Sequence, residues 1–146
     1  MDTTSNKAID RRYVDEVLNG RNLDAIDQIC AESYVSHVPG MPDMDRAGDK
    51  QLVGSMFAGF PDLEFEVGDQ IAEGDRVLHT LTGRGTHQAE FMGIPPTGRR
   101  VEVTGMNINR IAGGKIAESW GVIDILGLLQ QLGVVPTPGA SVGVEG

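Results

Sequence analysis

The chain has 146 residues, 40% hydrophobic and 23% charged, enough for one domain with its own core. Its net charge is −9, and no basic run is longer than the pairs Arg11–Arg12 and Arg99–Arg100. That balance excludes nucleic acid and anionic membrane surfaces from the expected partners, because both demand a basic patch.

The first segment, KAIDRRYVDEVLNGRNLDAIDQICAESY, reads as two helices. Ile9, Tyr13, Val17 and Leu18 form a narrow apolar stripe, Gly20 ends the first helix, and Asn22 is placed to cap the second. Cys30, the single cysteine, is expected as a buried thiol on that second helix; no internal disulfide can form, so no oxidising compartment is needed. VSHVPGMPDMDRAG, with His37, is expected to be a loop. DKQLVGSMFAGF is a third helix ending at Phe60 before Pro61. From there the period changes to two. LEFEVGDQIAEGDRVLHTLTGRGTH is a strand pair turning at EGDR, and VEVTGMNINRIAGGKIAESWGVI a second pair turning at Gly113–Gly114. DILGLLQQLG closes with a short helix. The expected layout is therefore a single domain over residues 1–135 and a flexible Pro/Gly-rich tail over 136–146. Helices followed by strands give an α+β fold, a cone of N-terminal helices packed on a curved antiparallel sheet of about four strands. Such a cone can enclose a small-molecule pocket. MDTTSNKAID lacks the basic start and apolar stretch of a signal peptide, and no apolar run approaches the ~20 residues of a membrane span, so a cytoplasmic location is expected.

One residue breaks the apolar run near the C-terminus. Asp124 stands among Val122, Ile123, Ile125, Leu126, Leu128 and Leu129. On a last strand from Lys115 to Asp124, alternation puts Glu118, Trp120, Val122 and Asp124 on one face. A carboxylate enclosed by apolar side chains becomes a usable general acid or base. The competing reading is structural, since Asp124 precedes ILGLLQQLG and is placed to be its N-cap. Around it the candidate pocket groups are His37, His79, His87, Asn107, Asn109 and Trp120. The histidines serve as hydrogen-bonding groups or as structural ones, because they lack the spacing of metal ligands and no metal site is expected. Asn107 and Asn109 share one strand face, opposite Met106, Ile108 and Arg110. Trp120 either stacks on a planar substrate or fills core. There is no phosphate loop and no Gly-x-Ser-x-Gly elbow, which leaves acid–base chemistry without metal or cofactor.

YVSHVPG, FPDLEFEVGDQIAEGDRV, GTHQAEFMGIPPTGRRV and GGKIAESWGVIDILGLLQQLG together resemble the SnoaL-like polyketide cyclases, in order and spacing, from about Lys7 to Val135. The resemblance implies the cone fold shared with nuclear transport factor 2 and ketosteroid isomerase, assembled as a homodimer or a larger homo-oligomer. It also implies an intramolecular aldol ring closure of a small hydrophobic carbonyl compound, needing no cofactor. In the family pattern Trp-x-x-x-Asp before Gln-Leu-Gly, which falls on Trp120, Asp124 and Gln131–Gly133, the aspartate is acid and base. His37, Asn107 and Asn109 match pocket positions by location. Two rivals are an epoxide hydrolase or isomerase of the same fold and a non-catalytic small-molecule-binding protein.

Overall fold

The computed structural model describes residues 2–136; the expected tail lies, from residue 137 on, outside the described residues. Helix α1 (Thr3–Arg12) starts where Asp2 accepts the Ser5 N–H at 2.7 Å, and it continues into a wider π-helical stretch, Tyr13–Asn19. Its buried line is Asn6, Asp10, Val14, Val17 and Leu18. Ile9 and Tyr13, expected at the centre of the stripe, are only partly buried. The helix has rolled to bring a carboxylate inward, which is tolerable only where donors meet it. A short turn, Leu23–Ala25, leads into α2 (Ile26–Ile29), and the Asn22 side chain makes no capping bond there.

Cys30 opens a strand rather than ending a helix. Strand β1 (Cys30–His37) pairs parallel with the last strand, with a register shift between Cys30 and Val35. The shift leaves Glu32 and Ser33 exposed and breaks the alternation that marks a strand, so the segment reads as loop. The sheet therefore has five strands, not about four, one of its pairings is parallel, and His37 is the last residue of β1. Burial within the first core pushes the Cys30 thiol up to about 12, which removes it as a nucleophile.

Helix α3 (Arg46–Gly59) begins at Asp45, which accepts the Gly48 N–H at 2.9 Å, and stops at Phe60 before Pro61. β2 (Glu64–Glu73) and β3 (Arg76–Thr86) form the first hairpin. β4 (Arg100–Ala112) and β5 (Lys115–Ile123) form the second, where Gly113 and Gly114 take the positive φ values its turn requires. The strand order is β1-β5-β4-β3-β2, and register shifts at Val67/Gln70 and Arg110/Ile111 help curve the sheet. Helix α4 (Ile125–Leu132) ends at Gly133 in the left-handed conformation.

The helices cover one face of the sheet. Under α1 and α2 lies a core of Val14, Val17, Ile26, Ile29, Val77 and Ile116. Under α4 lies a second core of Phe60, Leu63, Phe91, Val101, Leu128 and Leu132. The other face is open, and Met106 and Val122 there are 50% and 45% exposed. No helix among the described residues is long and apolar enough to cross a membrane.

Candidate functional site

Strand register sorts the candidate residues. Ile108 pairs with Trp120, Asn107 with Gly121, Asn109 with Ser119, and His79 with Asn107. Paired residues share a face, so Trp120 lies opposite to His79, Asn107 and Asn109.

On the helix-covered face His79 and Asn109 meet Asp10, and Asn107 joins them through Asn109. The Asp10 carboxylate, 1% exposed, accepts from His79 Nδ1 at 3.0 Å, Asn109 Nδ2 at 2.6 Å and Gln70 Nε2 at 2.9 Å. The donors form a directed chain. Ser119 Oγ donates to Asn107 Oδ1 at 3.1 Å, Asn107 Nδ2 to Asn109 Oδ1 at 2.9 Å, and Asn109 to Asp10. Hydrogen bonds running one way polarise each other, and a buried carboxylate needs several. Gly121 is part of this arrangement, because a Cβ there would lie 2.6 Å from Asn107 Oδ1. A second buried acid, Asp49 on α3, accepts from the Tyr13 hydroxyl at 2.5 Å. Burial raises the pKa of its carboxyl, against the lowering effect of that bond.

On the open face His37 and Trp120 stack with centroids 5.5 Å apart, and the Arg76 guanidinium lies 4.8 Å from the Trp120 ring centre. They line an apolar groove of about 580 Å³ with Leu78, Met106, Ile108 and Val122. His37 Nε2 meets Glu118 at 2.7 Å and Nδ1 meets Asp43 at 2.9 Å, while Arg110 Nη2 holds the other Glu118 oxygen at 3.3 Å. Two ring nitrogens facing two carboxylates fit a protonated ring, since a neutral one has a single N–H. The Glu118 bond and then the Asp43 bond raise the pKa of His37 above its ordinary 6.5, and His37 in turn lowers that of Glu118 below 4.5.

The sign of the pH effect follows. The His37 contribution is complete below 6.5 and is lost as pH rises through the raised value. The Glu118 contribution is complete above 4.5 and is lost as pH falls through the lowered value. A titration of the His37 ring by NMR is expected to show a midpoint above 6.5, which Glu118→Gln brings down. An equal midpoint in both proteins would count against the clamp.

The remaining two candidates lie elsewhere. His87, just past β3, is fully buried and stacks on Phe60 at 5.3 Å. Its Nδ1 accepts the Thr97 N–H at 3.2 Å, so Nε2 carries the proton, and it has no partner among the described residues. Asp124 follows β5 as the N-cap of α4, exposed rather than enclosed by apolar side chains, accepting the Gly127 N–H at 2.8 Å through Oδ1. Its backbone N–H donates to Thr104 O at 3.0 Å, which ties the start of α4 to β4. The structure thus brings three of the seven candidates together, pairs His37 with Trp120, and sets His87 and Asp124 apart. Sequence reasoning missed Asp10, Gln70, Ser119 and Asp49. One signal was present: Asn6, Asp10, Val14 and Val17 share a helical face.

Comparison with known proteins agrees with the architecture. A family model described as SnoaL-like polyketide cyclase matches residues 8–132. The candidate hydroxylase AclR from Streptomyces galilaeus is 33% identical, with a TM-score of 0.85 over 93% of this chain and 89% of its own. The candidate polyketide cyclase IdmH from Streptomyces antibioticus is also 33% identical, with a TM-score of 0.78 over 88% of this chain and 99% of its own. A candidate polyketide cyclase from Acidithiobacillus ferrooxidans is 32% identical, with a TM-score of 0.78 over 88% and 94%. No curated protein matches the chain in sequence. On the family match across residues 8–132, the chain belongs to the SnoaL-like polyketide cyclase family.

Proposed function

We propose that this chain is a cofactor-independent cyclase-like enzyme that closes a ring in an apolar, enolisable carbonyl compound by intramolecular aldol reaction, with Asp124 as acid and base. The observation that carries the reading is the family pattern at the junction of β5 and α4, where Trp120-x-x-x-Asp124 runs into Gln131–Gly133. A carbon-bound proton between two carbonyls is acidic enough for a carboxylate to remove, because both oxygens share the enolate charge. Asp124 takes that proton, the enolate carbon bonds to a second carbonyl carbon, and the resulting alkoxide takes the proton back. His79, Asn107 and Asn109 orient or polarise the carbonyls from the covered face. His37 and Trp120 line a separate open groove on the other face of the sheet, and the buried His87, whose Nε2 has no partner among the described residues, lies apart from both. A homodimer would cover the exposed Met106 and Val122.

The reading is tested by incubating the chain in deuterated water with an aryl β-keto ester and a panel of poly-carbonyl aromatics. Faster loss of the acidic proton than in buffer, and a ring-closed product, are expected. No acceleration with any probe refutes it and leaves ligand binding alone. The likeness to AclR favours a second reading, hydroxylation, which a product gaining one oxygen atom would reveal.

A further inference from the structure

The acid–base reading uses one exposed carboxylate and leaves unexplained why the covered face holds a buried carboxylate–imidazole pair. We propose that His79 is a second proton-transfer residue on that face, with Asp10 its positioning residue; this rests on the acid–base reading above and deepens it.

The geometry carries the assignment. His79 and Asp10 are 3% and 1% exposed, on β3 and α1, and come together from 69 residues apart. Asp10 fixes Nδ1 as the protonated nitrogen of the neutral ring, because a carboxylate within 3.0 Å of it only accepts. The free lone pair is then on Nε2, which, unlike His87 Nε2, is not among the fully buried unpartnered atoms of the described residues. Gln70 and Asn109 occupy the remaining positions on Asp10, so the carboxylate cannot swing away from the ring.

The neighbouring group is also suited to a carbonyl ligand. Asn107 is the cross-strand partner of His79, its side chain about 5 Å away on the same face, and it is only half-buried. Its amide is held by Ser119 and Asn109, so it is preset rather than mobile. A carbonyl resting against Asn107 places its α-carbon within reach of His79.

The step balances without a co-reactant. Nε2 takes the α-proton, the C–H electron pair moves into the enolate, and the charge formed on the imidazolium faces Asp10. Return of that proton to carbon or to an alkoxide restores the neutral ring. The substrate class is therefore a poly-carbonyl compound with two enolisable positions, one near Asp124 and one against Asn107. A purely structural pair would pin α1 to the sheet and exchange no proton with a ligand.

The experiment compares proton exchange from ethyl benzoylacetate in deuterated water for the wild type, Asp124→Asn, His79→Gln and the double variant. Asp124→Asn is expected to keep a residual exchange, which adding His79→Gln lowers by about tenfold or more. Asp10→Asn should lower the residual rate and alter its pH profile, and Asp10→Glu should restore part of it. Equal exchange in Asp124→Asn and the double variant overturns the inference, whereas wild-type exchange in Asp124→Asn overturns only the role of Asp124. A parallel ¹⁵N spectrum of His79 in the wild type guards against a misfolded variant. Saturating probe should shift Nε2, and an unmoved Nε2 overturns the inference whatever the rates.

Discussion

Asp10→Ala is expected to lower the melting temperature by about 10 °C. Removing the carboxylate strands two buried donors at once, His79 Nδ1 and Asn109 Nδ2, while the half-buried Gln70 Nε2 keeps its bond to Lys7 O. Truncating one partner of a buried polar pair costs about 3 kcal/mol or more, because the other groups stay desolvated and unmatched. A chain of this size loses roughly 3 °C per kcal/mol. Asp10→Asn keeps an acceptor of the same size, and its loss should be less than half as large. Thermal unfolding of both variants checks this. A fall of only a degree or two for Asp10→Ala would mean that water replaces the carboxylate and that the network is looser than its distances imply.

Asp124→Asn should do the opposite, leaving stability unchanged while turnover falls by about 100-fold or more. Asn and Asp are nearly equal as N-caps, and the Gly127 N–H keeps its acceptor. What disappears is the ability to take and return a proton. Asp124→Ala removes both functions and should also cost about 1 kcal/mol. If the Asp124→Asn variant turns over like the wild type and only Asp124→Ala is impaired, through its stability, the residue is a cap and nothing more.

How much of this was readable beforehand depended on where each side chain found its partners. β2 to β5 alternate over most of their length because one face is covered and the other is open, with breaks at the Val67/Gln70 and Arg110/Ile111 register shifts, and Gly113–Gly114 marks the second turn. β1 was not readable, since its register shift and the exposed Glu32 and Ser33 erase the period while Val38–Pro39–Gly40 looks like loop. Asp124 could be read both as an N-cap and as a family position, and the structure places it at the cap. Asp10 could not be read. A lone acid on a helix counts as solvent-facing until its donors are known, and they lie 60, 69 and 99 residues away. The split between Trp120 and the two asparagines was likewise hidden, because it depends on the β4–β5 register that sets Ile108 rather than Asn107 opposite the tryptophan.

The central claim is that proton chemistry takes place on the helix-covered side of the sheet, between Asp10–His79 and the start of α4. A crystal structure with a bound enolate analogue, 2-hydroxy-1,4-naphthoquinone, tests it most directly. The account predicts the analogue's oxygens against Asn107 and His79, with one edge towards Asp124. An analogue seated only in the open groove, flat against Trp120 and His37 with the covered face undisturbed, would contradict it.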